Sequence, residues 1–556
     1  MATSTAQSAE PATSAVSAPA GPKHRAPDAT PTSKVNNRRW WALGALCISV
    51  LLVGIDNTIV NVALPTIGRE LAATISDLQW VVDGYTLIFA TLLLLAGHLG
   101  DRFGRRRVLL VGLLVFAMTS VGASFATSTT GLIAGRAAMG VGAALIFPAT
   151  LALLMAIFPN RRERAAAIGI WSGVTGLSVA LGPIGGGLLI EHFSWSAIFL
   201  VNVPLAAVAI FAIRLLLPES RDPRPGRFDP LGAVGSMVGI GLLVWTIIEA
   251  PANGWGSAVT VAGFAGSLTA LALFVWWEVR RADPLFDVTL FANPRFSAAS
   301  GAIAAAFFGL FGFIFLITQY FQIVRGYGVL EAGAATLPFA VVIGALSPVA
   351  ILLMKRFGSR LVVASGLLLM TTGFAAAAGT TLQSEYWGRI VISMTLMAAG
   401  SALTSGPATD AIMGALPAGR AGAGSAVNDT TREIGGTLGV AIVGSVMNSI
   451  YGSRLVEALS GTSLPPDAAQ LASRSVIGGY QAAAQVPPAE AEDVVQATTQ
   501  AFISGVSGGS WVAAGTTALA AVAVLLFLPA RHASADSSVD VHDRHREPGV
   551  AGQKIA

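Results

Sequence analysis

Charged side chains are scarce in this sequence. They make up 12% of its 556 residues, against 54% hydrophobic and about 25% charged in an ordinary soluble domain. The shortage excludes a water-soluble globular chain. Lysine is scarcer still, occurring only at Lys23, Lys34, Lys355 and Lys554. None of the four stands between a glycine and a Ser or Thr, so the chain has no phosphate-binding loop and is not itself a P-loop ATPase. The one cysteine, Cys47, excludes an intrachain disulfide and a cysteine-based metal site. The net charge is +4, but the basic residues form no patch with interleaved aromatics, and nucleic acid is rejected as a partner.

What the sequence has is apolar length. Runs of ~20 residues, enough to cross ~30 Å of hydrocarbon, recur throughout. Fourteen spans are read: 40–64, 79–98, 107–127, 131–155, 165–190, 197–217, 230–250, 257–278, 298–323, 332–354, 361–381, 387–408, 431–450 and 508–530. With residues at a span's edge counted in the loop beside them, only Arg69, Arg325, Arg389, Arg454 and Arg474 of the 34 basic residues fall in odd-numbered loops, and Arg136 lies deep within a span. All others fall in the tails and even-numbered loops, which the positive-inside rule makes cytoplasmic. A bacterial cytoplasmic membrane is expected, with both termini inside. Residues 1–39, rich in Ala, Ser, Thr and Pro, read as a disordered cytoplasmic N-tail, and 531–556 as the C-tail. The first apolar run lacks a small-residue cleavage signal and reads as an uncleaved span. Residues 451–507 read as one long extracellular segment with a short surface helix at 490–502.

Two echoes divide the chain. DRFGRRRVLLVGL at 101–113 returns as KRFGSRLVVASGL at 355–367, and RAAAIG at 164–169 returns as RAGAGS at 420–425. Both repeats are displaced by eight spans. The expected architecture is all-α: a six-helix half at 40–217, an inserted helix pair at 230–278 that packs at the periphery with Glu249 exposed to solvent or headgroups, and a second six-helix half at 298–530. Internal repeats of this kind build many secondary transporters, with the solute site between the halves.

Three charged residues interrupt the first half. Asp56 lies in GIDNTIVNVALP, Asp83 in WVVDGYTLIFA and Arg136 in GLIAGRAAMGVGAA. A charge at the centre of a membrane helix costs about 2.5–3.5 kcal/mol on insertion scales and is functional by default. The three lie about eight, four and five residues from the outer ends of their spans, so at 1.5 Å per residue they share one depth, roughly 6–12 Å below the outer surface. They are expected to share one polar pocket, in which burial and a neighbouring arginine set a carboxyl's readiness to exchange a proton. A structural ion pair between Asp56 and Arg136 is the competing reading.

GIDNTIVNVALP, GHLGDRFGRRRV at 97–108, the Arg136 segment, GVTGLSVALGPIGGG at 173–187 and WSAIFLVNVP at 195–204 occur in that order. Together they resemble the major facilitator superfamily, and within it the fourteen-helix drug:proton antiporters, over roughly residues 40–530. The resemblance implies proton coupling through Asp56, with Arg136 and Asp83. It also implies a conformational latch in the 97–108 loop, at Gly97, Gly100, Asp101, Arg102, Gly104 and Arg105, that holds the outward-facing state. The second-half echo has Lys355 in place of Asp101. Span 5, with Gly173, Gly176, Gly182, Pro183 and Gly186, matches the pattern of exporters. Substrate-cavity residues are sought at Asn57, Asn61, Phe311, Phe315, Tyr320 and Gln322, where aromatic side chains suit an adaptable apolar cavity.

The function expected is proton-coupled export of a small hydrophobic drug, antibiotic or secondary metabolite, with cationic compounds allowed. The proton gradient supplies the energy, no cofactor or metal is needed, and the chain is read as a monomer in the bilayer and not an enzyme. The alternatives are a facilitator or symporter importing a small metabolite, and a non-transporting membrane sensor.

Overall fold

The computed structural model describes residues 33–221, 229–281, 284–415, 421–460 and 462–529. The disorder expected of the tails concerns residues that lie almost wholly outside these, as does Arg420, which opens the second copy of the shorter echo. Among the described residues every element is helical. In the first half these are α1 (Ser33–Glu70), α2 (Ile75–Phe103), α3 (Arg105–Ser124), α4 (Thr129–Ile157), α5 (Arg161–His192), α6 (Ala197–Leu200) and α7 (Asn202–Leu216). Next come α8 (Pro230–Asn253) and α9 (Ala258–Arg280). The rest are α10 (Pro294–Gln319), α11 (Val329–Ala334), α12 (Leu337–Phe357), α13 (Ser359–Ala378), α14 (Val391–Gly414), α15 (Ala421–Leu459), α16 (Pro466–Arg474), α17 (Val476–Ala483) and α18 (Pro488–Phe527). Among the described residues thirteen helices are long and apolar enough to cross a membrane, and a pair within α5, bent by 43°, brings the number to fourteen. The bend lies just before Pro183, which has no N–H for the Val179 carbonyl.

Local chemistry sets the helix ends. Thr74 and Asp77 form a reciprocal capping box at the start of α2, and Ser128, Asp229 and Ser257 cap α4, α8 and α9. Gly104 and Gly358 end α2 and α12 with φ of +106° and +84°, a region where a side chain is strained, and each N–H bonds the carbonyl four residues back. The two turns occupy equivalent places in the longer sequence echo. The packing repeats as well: α1 lies on α5 as α10 lies on α15, and α2 and α3 lie on α4 as α12 and α13 lie on α14.

We call the end carrying Arg102–Arg107 and Lys355–Arg360 the basic end, and the other the far end. At the far end the halves meet along two seams. Gln79 of α2 donates to the Val440 and Ala441 carbonyls of α15, with Gly444 directly beneath its side chain. Gly187 and Pro183 of α5 lie against Leu330 and Gly333 of α11. At the basic end the halves part around a cavity of about 370 Å³, with Gly97, Asp101 and Arg105 on one wall and Leu285, Val427 and Asp429 on the other.

Three expectations need correction. The 451–507 stretch is not a loop. α15 continues to Leu459, and α18 begins at Pro488, so 490–502 is the start of the last spanning helix and not a separate surface helix. A hydropathy window ends where lipid ends, but the helices go on burying Tyr451, Val494 and Phe502 against α16 and α17. The pair α8–α9 lies outside the two bundles, but α8 also touches both of them, packing on α2 and α15. Glu249 on α8, expected to face solvent or headgroups, is half-buried and accepts the Trp80 indole N–H at 3.1 Å.

Candidate functional site

Asp56 and Arg136 meet as the sequence suggests. α1 runs past Leu64 to Glu70, which puts Asp56 near mid-helix. Arg136 Nη1 lies 2.6 Å from Asp56 Oδ2, and both side chains are fully buried. The other carboxylate oxygen accepts from Asn202 Nδ2 at 2.9 Å, and Asn202 also donates to Ser120. Arg136 Nε donates to the Val81 carbonyl at 3.0 Å, and its guanidinium sits 4.3 Å from the Tyr85 ring centroid. Gly140 makes this possible: α4 lies so close to α2 that an added Cβ would stand 2.6 Å from the Tyr85 carbonyl. The pair is enclosed on every side, so each charge depends on the other for compensation. Asn202 and Tyr85 were not singled out from the sequence. Both lie in segments the motifs cover, and a lone Asn in the apolar run 197–217 was the available signal.

Asp83 does not join this group. It is fully buried on α2, and its bonds among the described residues go to Thr86. Equal depth along three helices fixes height but not direction around the bundle, so the expected single pocket is two.

The 97–108 loop is tied within its own half. Asp101 Oδ1 accepts from Arg105 Nε and Nη2 at 2.9 and 2.8 Å. The Arg105 and Arg106 N–H groups bond Ser220 and Glu219, beyond α7. The Arg102 guanidinium lies over Phe103, Gly100 receives the Gly104 N–H, and a Cβ added at Gly97 would stand 4.0 Å from Pro148. With the basic end parted, no hydrogen bond among the described residues takes Asp101 across to the second half.

Span 5 divides in two. Gly182 and Gly186 fit against Thr58 and Ile59 of α1, while Gly173 and Gly176 face open space toward the basic end. Above that opening, Thr58, Val179 and Pro183 of the first half and Phe313, Thr318, Thr336 and Phe339 of the second enclose about 20 Å³ between the halves, room for about one water. Phe313, stacked on Phe339 at 5.7 Å, lines this space instead of Phe311 or Phe315. Phe311 packs on Gly436, and Phe315 is fully buried. Tyr320 lines a separate cavity among α10, α13, α14, α15 and α18. Gln322 donates to the Val62 carbonyl and closes the far end, Asn61 bonds its own helix, and Asn57 is buried. Among the described residues no cluster of His, Cys, Asp and Glu could hold a metal.

Two packed helical bundles around a cleft closed at one end, with an ion pair buried in one bundle, define a membrane transporter that works by alternating access. The chain belongs to the Major Facilitator Superfamily, whose family model matches residues 46–440. It is a multi-pass membrane transporter, not an enzyme. It is 37% identical over 494 residues to the multidrug efflux pump LfrA of Mycolicibacterium smegmatis, spanning 89% of this chain and 97% of that one. It is 35% identical to the tetracenomycin C resistance and export protein of Streptomyces glaucescens (90% and 93% covered). It is 33% identical to the methyl viologen resistance protein SmvA of Salmonella typhimurium (84% and 93% covered). A bacterial homologue of the human lysosomal transporter Spinster, in an inward-facing unoccupied conformation, shares the fold at TM-score 0.59 and 19% identity, covering 88% of this chain and 98% of that one. A D-xylose–proton symporter does so at TM-score 0.59 and 14% identity, with the same coverage.

Proposed function

We propose that this chain exports small hydrophobic drugs, antibiotics or a secondary metabolite across the bacterial cytoplasmic membrane, in exchange for protons. It works as a monomer, with no cofactor and with the proton gradient as its energy source. Both termini and the basic end face the cytoplasm, as the distribution of Arg and Lys favours. The observation that carries the reading is the cleft: sealed at the far end, parted at the basic end between walls that carry Asp101, Arg105 and Asp429, and lined above them by rings, aliphatic side chains and threonine hydroxyls. Such a cleft loads apolar solutes from the cytoplasmic side. The efflux names of the relatives support the same direction.

The test uses everted vesicles from cells producing the protein. An imposed pH gradient, acid inside, is expected to drive uptake of ethidium, tetracenomycin C or methyl viologen, with alkalinisation of the lumen as each accumulates. Accumulation in right-side-out vesicles would instead identify an importer, and no gradient-driven movement of any of the three would sink the exporter reading.

The latch gives a second expectation. Asp101→Asn removes the charge that holds Arg105. The pair is partly exposed, so the change is worth up to about 1 kcal/mol, or about fivefold in the balance between the two conformations. Efflux should slow by about that factor, with substrate affinity little altered. A large loss of binding with normal turnover would contradict a latch.

A further inference from the structure

Where α2 and α15 meet at the far end, the inserted pair meets both of them. The Ser76 hydroxyl of α2 joins all three bodies. It accepts from Asn448 of α15 at 3.4 Å and donates to the Ile248 carbonyl of α8 at 3.3 Å. One turn along α2, Trp80 donates to Glu249 of α8 at 3.1 Å. Two turns further on the same face, Leu87 packs with Val244, Ile247 and Ile248 of α8 and with Ala441 of α15, in a buried cluster apart from the main core. Toward α15 itself, α2 presents Gln79 and Thr86, with Asp83 between them. Gln79 holds the two α15 carbonyls, and Thr86 accepts from Thr437 at 3.1 Å. The pair is also fastened to α15 directly. Trp255, in the turn between α8 and α9, donates to Ser449 at 2.9 Å.

At the basic end the described contacts of the pair lead to the second half. Glu278 of α9 accepts the Phe286 N–H at 3.0 Å. Phe286 stacks on Phe291 at 5.8 Å, and Phe291 meets the Phe296 ring of α10 edge-on at 5.2 Å. Phe296 is buried, and the 3₁₀ turn Val288–Ala292 packs on both α9 and α10. Asp229, at the start of α8, takes the Trp277 N–H and the Arg281 guanidinium, so these groups are spent within the pair. Among the described residues the pair is thus held to the second half at both ends, and to the first half along the far part of α2.

Alternating access requires α2 and α15 to part when the far end opens. A body fastened to both must then let one go. We propose that the inserted pair is a clasp, carried by the second half and closed over α2 by the Trp80–Glu249 and Ser76–Ile248 bonds. Opening the far end breaks these two bonds and hydrates their four groups, while the Trp255 bond to α15 stays. The strength of the clasp then sets how much of the time the far end is shut. A hydrogen bond to a charged group is worth about tenfold in an equilibrium. One indole outside the cleft can therefore tip the cycle without touching substrate. Glu249 is a positioning residue in this scheme, acting through α2.

Two cysteine pairs identify the contact that must open. One is Trp80→Cys with Glu249→Cys, the other Trp255→Cys with Ser449→Cys. Each removes an indole and its acceptor, so one short bis-methanethiosulfonate spans either gap. The native Cys47 is buried. Ethidium uptake into everted vesicles is read before bridging, after it, and after reduction. Bridging the first pair is expected to cut uptake at least about tenfold, reversibly, because it removes one of the two conformations. Bridging the second should leave uptake unaltered. Uptake that survives the first bridge, or is lost with the second, overturns the proposal. If the cysteine pairs do not accumulate in membranes, Trp80→Phe carries the test, with Ser445→Cys as reporter. Ser445 is buried and accepts from Gln79 across the same seam. Its labelling by N-ethylmaleimide should quicken about tenfold in the Trp80→Phe protein, and an equal rate overturns the proposal. Labelling needs no transported solute, so it decides the matter even where ethidium is not carried and the exporter reading falls.

Discussion

Asp56→Asn is expected to abolish export, reducing gradient-driven uptake at least 100-fold in everted vesicles. The substitution leaves Arg136 fully buried beside a carbonyl and a ring, with nothing of opposite charge. Breaking a buried pair from one side costs about 3–5 kcal/mol, because the remaining charge is uncompensated. That is a large share of the stability of an ordinary domain. Part of the loss should therefore be in folded protein, seen as a lower melting temperature in detergent. A double variant, Asp56→Leu with Arg136→Met, separates the two effects. Replacing both charges with apolar groups is often neutral for stability, so the melting temperature should return. Export should not, if the pair also serves the cycle. Full export by the double variant would reduce the pair to a structural strut.

Gly444→Leu is expected to trap the transporter with its far end open. An added Cβ would stand 2.6 Å from Gln79 Nε2, the group that ties α2 to α15. Overpacking of this kind costs about 1–3 kcal/mol, a shift of roughly 5- to 150-fold between the two conformations. The penalty falls only on the state in which the seam is shut. The native cysteine is single and buried, so a cysteine placed at Ser76, which bonds Asn448 across the same seam, reports access against a quiet background. Its labelling rate should rise at least fivefold in the Gly444→Leu protein, and efflux should fall in step. Equal labelling rates would show that the seam is not what holds this conformation.

The parts of this molecule that could be read from its sequence are those where a single physical requirement acts alone. Hydrocarbon thickness sets the length of the apolar runs. The distribution of Arg and Lys fixes their parity. A charge deep in a membrane helix must find a partner, so Asp56 and Arg136 could be matched from their depth. Depth carries no information about direction around a bundle, which is why Asp83 was placed with them and lies instead on the seam. Asn202 and Tyr85 were missed because a neutral polar side chain in an apolar run costs too little to stand out. Phe313 could not be told from its aromatic neighbours because α10 is aromatic on several faces, and only the partner helix tells which face meets the cleft. The helical continuation of α15 and α18 past the membrane was hidden by polar residues that look like loop in a hydropathy window.

That continuation has a mechanical consequence. α18 begins at Pro488, about 30 Å ahead of the span read from hydropathy at 1.5 Å per residue. With α15, α16 and α17 it forms a solid protrusion. Tyr451 pins it to the second half through the Ala472 and Ser475 carbonyls, and Ser475 rests on the Ala73 carbonyl of the first half. A stiff arm fixed to one body and only resting on the other is a lever. A domain rotation of about 15°, of the size seen in other switching proteins, would swing its tip by about 8 Å. The tip therefore travels visibly while the midplane barely moves. An antibody fragment raised against this protrusion would gain a lipid-free handle on the second half, and it would arrest the cycle whenever its footprint also reached the turn at Ala73.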